Sequence, residues 1–152
     1  MRNIQKILIL WIIIGMMYFS LEGIWHIPSG GYANIVMLPI GGLCGVLVGA
    51  INQVPKFYNM KVVYQSLIST GIILIVELVC GILVNLVLGL HIWDYSDRPF
   101  NILGQICLHY GVLWFLISPF AIWLEDNIRY RLWNEGSPYT LLSIYRDLLT
   151  FK

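Results

Sequence analysis

The sequence has 152 residues, of which 59% are hydrophobic and only 11% are charged. A soluble domain carries about 25% charged residues and could not bury this much apolar surface, so the composition excludes a soluble protein and predicts an integral membrane protein. The net charge is +1 and no basic stripe or zinc-finger spacing occurs, so no nucleic-acid partner is predicted.

The first apolar segment covers about residues 7–27 and ends at the turn-forming residues 28–31. No small-residue cleavage site follows it, which favours an uncleaved first span over a signal peptide. Tyr18, Glu22 and His26 are four residues apart and share one helix face. Two interpretations of Glu22 stay open: a carboxylate hydrogen-bonded to Tyr18 or His26 near the interface, or a carboxylate that lines a functional site.

The second apolar segment covers about residues 33–54 and carries Gly41, Gly45 and Gly49 at four-residue spacing. This small-residue pattern lets helix backbones approach closely, and it favours packing over phosphate binding because no P-loop or dinucleotide fingerprint is present. Pro39 could kink this helix or mark a re-entrant segment. We expect a second span here.

The third segment, about residues 66–92, contains one charged residue, Glu77. A charge at the bilayer centre costs about 2.5–3.5 kcal/mol on insertion scales, so Glu77 is predicted to face protein or a polar cavity. The same helix face continues with Gly81, Asn85 and Gly89. Gly81 suits close packing, whereas Glu77 and Asn85 either hydrogen-bond between helices or form part of a proton or cation relay.

The fourth segment, about residues 102–124, follows a polar bend that ends at Asn101. Gln105 and His109 are four residues apart and share a face. His109 is either a satisfied packing residue or a functional group beside Gln105. The three cysteines all lie in apolar segments and no CxxC occurs, so buried thiols are expected and neither a metal nor a cofactor is predicted.

The tail, residues 125–152, is predicted to contain one further helix, which Ser137 and Pro138 could open. Its leucines fall mostly on one side. We interpret it as an amphipathic helix lying on the cytoplasmic membrane surface, with a partner-docking helix as the alternative.

These segments predict an all-α polytopic membrane protein with a four-helix transmembrane domain, residues 1–124, followed by the tail. With four spans, eight of the nine basic residues share one side, and only Arg98 lies opposite. This asymmetry predicts that both termini are cytoplasmic. The eight residues are Arg2, Lys6, Lys56, Lys61, Arg129, Arg131, Arg146 and Lys152.

The topology places most polar residues of the spans in the outer half of the membrane. We therefore predict an outward-facing polar cavity between spans one, three and four, able to bind a cation, move a proton or hold a polar headgroup. Its candidate residues are Glu22, Glu77, Asn85, Asn101, Gln105 and His109.

Three stretches carry a resemblance to a known family: the bend Trp93-Asp94-Tyr95-Ser96 with Pro99-Phe100-Asn101-Ile102 and Gly104-Gln105-Ile106-Cys107-Leu108; the segment Gly41-Gly42-Leu43-Cys44-Gly45 with Gly49 and Asn52; and Glu77 with Gly81 and Asn85. Over roughly residues 15–125 the chain resembles the ABC-transporter type IV, or CmpB-like, family of small bacterial membrane proteins. The resemblance implies a permease-like protein of the bacterial cytoplasmic membrane.

The leading functional hypothesis is a membrane subunit of a transport system that acts as a homo-oligomer or with a membrane partner or ATPase. One alternative is an intramembrane enzyme acting on a lipid or envelope precursor, with Glu77, Glu22 and His109 as acid, base or metal ligands. Another is a structural or assembly factor whose polar residues only specify packing.

Overall fold

A computed structural model describes residues 3–152, so Arg2 lies outside the described residues. The helices follow in the order α1 (Asn3–His26), α2 (Met37–Asn52), α3 (Pro55–Tyr58), α4 (Val62–Gly81), α5 (Leu108–Trp133) and α6 (Leu141–Leu149), and a π-helical turn at Ile82–Val87 extends α4. Within this range the chain contains no β-strand. The predicted all-α class is confirmed.

Three helices are long and apolar enough to cross a membrane, namely Asn3–His26, Val62–Val87 and Leu108–Trp133. They make the chain a multi-pass membrane protein. Helix α2 is apolar as well but has only 16 residues, about 24 Å at 1.5 Å per residue. It is shorter than the hydrocarbon core of about 30 Å, whereas the sequence suggested a segment of some 22 residues there.

Helix α2 is short because the chain before it turns sharply. Gly30 adopts a left-handed φ of 68°, and the Asn34 side-chain oxygen accepts a hydrogen bond from the Val36 amide at 3.0 Å. The helix then begins at Met37, which places Pro39 in its first turn. A proline there removes no helical hydrogen bond, so the helix accepts it without a kink.

Helix α5 is shifted toward the C-terminus relative to the predicted segment 102–124. Phe100, Leu103 and Gly104 all have positive φ values, which prevents a helix from starting before Leu108. The helix continues through Glu125 because that carboxylate is paired with Arg129 one turn later.

Five chain segments meet at one end of the bundle, here called the terminal end. Lys6 of α1 pairs with Glu135, which follows α5, and the Asn52 amide at the end of α2 donates to Asp126 at 2.7 Å. The Val62 amide at the start of α4 donates to the Lys152 carbonyl at 2.9 Å. The bend of residues 88–107 lies at the other end.

The tail packs against the bundle at this terminal end. Ile144 of α6 joins a buried cluster with Val48, Ile73 and Ile122, so one face of α6 is part of the core. The Tyr145 hydroxyl donates to the Leu116 carbonyl at 2.8 Å. The opposite face of α6 exposes apolar side chains, among them Leu142 and Leu149.

Candidate functional site

A cavity of about 380 Å³, here called the upper cavity, opens at the end of the bundle opposite the terminal end. The last turns of α1, the start of α2, residues 92–95 of the bend and the first turns of α5 enclose it. Glu22 and Asp94 contribute carboxylates to its wall. The cavity is therefore formed by segments that are far apart in sequence.

Aromatic side chains form much of the wall. Tyr95 and Tyr110 stack with ring centroids 4.5 Å apart, and Tyr18 lies 6.0 Å from Trp114. Trp93 lines the cavity too, and its indole nitrogen donates to the Gln105 carbonyl at 3.0 Å. Two further rings stand at the rim, where they are mostly exposed: Trp25 and Tyr32.

The two carboxylates of the upper cavity are held differently. Glu22 Oε1 lies 3.1 Å from His26 Nε2 one helical turn away, and a quarter of its side chain is exposed. Asp94 accepts hydrogen bonds from the hydroxyl and the backbone amide of Ser96, which lower its pKa below the usual value. Asp94 is thus held in its ionised form at the mouth of the cavity.

A smaller cavity of about 80 Å³, here called the lower cavity, lies deeper between α1, α2, α4 and α5. Glu77 lines it with only 5% exposure, and its carboxylate accepts a hydrogen bond from the Trp114 indole at 2.8 Å. Tyr18 and Trp114 line both cavities. These two rings form a shared wall between Glu22 and Glu77.

Asn85 and Gln105 bind each other and the bend. The Asn85 amide donates to Gln105 Oε1 at 2.7 Å and to the Trp93 carbonyl at 3.0 Å, and its oxygen accepts from the Ile92 amide at 2.7 Å. Both side chains are buried. They hold the bend against the π-helical turn, so that Trp93 and its neighbours form the upper wall.

The other two polar candidates lie apart from the cavities. Asn101 hydrogen-bonds to Ser96, Arg98 and Gly104 within the bend. His109 is exposed and makes an edge contact with the Tyr110 ring, whose centroid is 5.4 Å away. Of the six candidates, Glu22 and Glu77 thus share neighbouring cavities, Asn85 and Gln105 support the wall, and Asn101 and His109 line neither cavity.

The glycines singled out in the sequence lie at close helix contacts. A Cβ atom at Gly41 would collide with the Tyr18 ring, and one at Gly45 with Ile14, so α1 and α2 touch along this stripe. A Cβ at Gly49 would meet the Glu125 carboxyl group, and one at Gly81 would meet Gln105.

A charged network at the terminal end has no counterpart among the sequence candidates. Glu125 is fully buried and pairs with Arg129, which also donates to Glu135 at 3.1 Å. Neighbouring Asp126 accepts from Asn52 and, at 2.8 Å, from the Tyr139 hydroxyl. The four-residue spacing of Glu125 and Arg129 is the one sequence signal that could have indicated it.

This network makes the stability of the terminal end pH-dependent. Lys6 and Arg129 hydrogen-bond to Glu135 and lower its pKa below the ordinary 4.5. The resulting stabilisation is present above that ordinary value and is lost as the pH falls through the lower, folded value. We expect the unfolding temperature of the native chain to fall relative to that of Glu135→Gln as the pH is lowered from about 6 to about 3.

A fitting control is Asp97→Asn, since Asp97 belongs to a more exposed pair with Arg98 at 3.7 Å. It should retain the acid dependence of the native chain. The Glu135 side chain is 36% exposed, so solvent screening keeps the effect modest. Identical acid profiles for the native chain and Glu135→Gln would contradict the assignment.

Metal binding gains no support from the side chains. Within residues 3–152, no group of three or more histidine, cysteine, aspartate or glutamate residues is arranged to hold a metal ion. The side chains that line the two cavities offer charge pairing, hydrogen bonding and contact with aromatic rings.

Comparison with known proteins identifies one family. The family model described as "Putative ABC-transporter type IV" matches residues 9–145, which is most of the chain and includes both cavities. No curated protein and no solved structure matches this sequence.

Proposed function

The chain belongs to the ABC-transporter type IV family, and on this premise we propose that it is a permease-like membrane subunit of a transport system. The observation that carries the proposal is the succession of two cavities with carboxylates at different depths. Glu22 stands in the upper cavity and Glu77 in the lower one, and both cavities include Tyr18 and Trp114. A solute entering the upper cavity would meet Glu77 only after these rings move.

The membrane orientation is part of this proposal. Four spans, with α2 as the short one, put the N-terminus, the loop around α3 and the tail on one side, in agreement with the meeting of these segments at the terminal end. The basic residues of that side make it cytoplasmic, with both termini inside. The upper cavity then opens outward from a bacterial cytoplasmic membrane.

The tail is the proposed contact with the partner. Helix α6 uses Ile144 and Leu148 to pack on the bundle and leaves Leu142 80% and Leu149 78% exposed. An apolar ridge of this kind suits the membrane surface, as the amphipathic pattern predicts, or a partner protein. We propose that it docks an ATPase at the cytoplasmic side, and that the glycine stripe of α2 serves packing within the subunit.

The intramembrane-enzyme alternative has less support. It requires His109 to work with Glu22 and Glu77, but His109 is exposed and lines neither cavity. A purely structural role for the polar residues fits Asn85 and Gln105, whose hydrogen bonds lie within the bend and its contacts. It does not account for the open upper cavity.

A pull-down of the tagged chain in mild detergent, read by mass spectrometry, tests the subunit role. We expect an ATP-binding-cassette ATPase to co-purify with the native chain and to be lost from Leu142→Ser/Leu149→Ser. Leu132→Ser is the matched control, because Leu132 is 52% exposed at the end of α5 and lies outside α6. It should retain the partner.

The possible outcomes of the pull-down test the subunit role and the α6 contact separately. Because the ATPase is cytoplasmic, its capture through α6 also fixes the tail on the cytoplasmic side. If the native chain and both variants all captured the ATPase, the subunit role would stand, but α6 would not be the contact. A monodisperse monomer without an ATPase would contradict the subunit role.

A further inference from the structure

We infer that the upper cavity binds an organic cation, in which an ammonium group is joined to an apolar body. This inference rests on the proposed function, since it names the class of solute that the cavity would admit. It is carried by two independent properties of the wall, namely its rings and its charge.

The rings provide the first argument. Seven of the 16 residues that line the cavity are aromatic, and they come from α1, the turn after it, the bend and α5. Tyrosine and tryptophan also gather at membrane surfaces, and the exposed Trp25 and Tyr32 fit that position, but the other five rings lie deeper in the wall. Here seven rings line one open cavity, and aromatic rings grouped around a site are how proteins recognise quaternary ammonium groups.

The charge of the wall provides the second argument. Glu22 and Asp94 carry carboxylates, His26 contacts Glu22, and neither lysine nor arginine occurs among the lining residues that the structure describes. An anionic solute would find no permanent positive charge there, whereas a cation would be attracted. Since Asp94 stays ionised at the mouth, the attraction begins before the solute enters.

The volume of the cavity and the chemistry of its wall limit the classes of ligand that it can bind. The volume of about 380 Å³ falls within the range of about 300–1,000 Å³ typical of small-molecule pockets. A bare Mg²⁺ or Ca²⁺ ion would gain little from aromatic walls, because these ions require a shell of oxygen ligands. A neutral sugar could stack on the rings but would bring no positive charge to either carboxylate. An ammonium group with methyl or methylene substituents satisfies the rings and the charge together.

The test uses the full chain in nanodiscs of phosphatidylglycerol, which contains no ammonium group, with radiolabelled choline as the probe. We expect saturable choline binding. The neutral isostere 3,3-dimethyl-1-butanol, which has the shape of choline without its charge, should compete at least about tenfold less well. Equal competition by the isostere, or better competition by methyl glucoside, would overturn the inference.

Two variants locate the binding in this cavity. Glu22→Gln retains a hydrogen-bonding side chain beside His26 but removes one charge, and we expect about tenfold weaker choline binding. Trp25→Ala removes a rim ring that is 66% exposed and should weaken binding several-fold. Tyr64→Ala, at an exposed ring in the first turn of α4, should bind choline normally. If Glu22→Gln and Trp25→Ala both bound choline with the native affinity, the upper cavity would not be the binding site.

The ammonium group can belong to a free solute or to a lipid headgroup. Adding phosphatidylethanolamine to the nanodiscs should displace choline if the natural ligand is a lipid, and should leave binding unchanged if it is a free solute. The inference and the proposed function fail separately. If choline binds but no ATPase co-purifies, the cation site stands and the proposed function does not. If an ATPase co-purifies but choline does not bind, the proposed function stands and the cation site does not.

Discussion

Replacing Asn85 with leucine is expected to destabilise the protein by about 3 kcal/mol or more. Leucine is similar in size but removes three hydrogen bonds, and it leaves the Trp93 carbonyl, the Ile92 amide and the Gln105 oxygen without their partner. Each buried polar group left unsatisfied costs about 1–3 kcal/mol. Because these groups hold the bend, we expect backbone amides 91–95 to exchange with solvent about 100-fold faster, as measured by hydrogen–deuterium exchange mass spectrometry.

The chain contains a matched control for this substitution. Asn101 also makes three side-chain hydrogen bonds, but it is only half-buried, and its bonds to Ser96 and Arg98 are exposed to solvent. Water can replace the lost partners there, so Asn101→Leu should cost less than about 1 kcal/mol. If the two variants lost the same stability, the burial of Asn85 would not be the cause.

The second large effect is expected from Gly49→Ala. The added methyl group would occupy the position of the Glu125 carboxyl group, which is fully buried and paired with Arg129. Overpacking costs about 1–3 kcal/mol, and separating a buried ion pair costs about 3–5 kcal/mol. Partial relaxation of both should leave a loss of about 2–4 kcal/mol, which thermal unfolding in detergent would measure.

Gly71→Ala is the corresponding control. Gly71 also lies inside a helix, but a Cβ atom there would meet nothing within 4 Å. Since alanine favours helix over glycine, this variant should be unchanged or more stable by about 0.5–1 kcal/mol. A Gly49→Ala protein that unfolds at the native temperature would show that the helices separate easily at this contact.

The sequence predicted the features that depend on local pattern. Apolar segments and the four-residue spacing of Gly41, Gly45 and Gly49 predicted an all-α membrane protein and the positions of close helix contact. The isolated charge of Glu77 predicted a sheltered carboxylate, and that carboxylate is buried against Trp114. Its part in any function stays a prediction.

Features that depend on distant residues could not be predicted in this way. The seven aromatic rings of the upper cavity come from α1, the turn after it, the bend and α5, and each is ordinary in its own segment. The predicted segment 102–124 begins before α5, because left-handed backbone at Phe100 and Leu103 leaves no hydrophobic signature. The helix itself runs past residue 124, because Glu125 is paired with Arg129 one turn later.

The Tyr145 side chain connects α6 to the middle of α5. Its hydroxyl is bonded to the Leu116 carbonyl, within the same helical turn as Trp114 and three residues before Pro119. Proline interrupts the hydrogen-bond ladder of a helix and makes it easier to bend there. The Tyr145 hydrogen bond therefore ties α6 to the part of α5 where bending is easiest, within one turn of the tryptophan that lines both cavities.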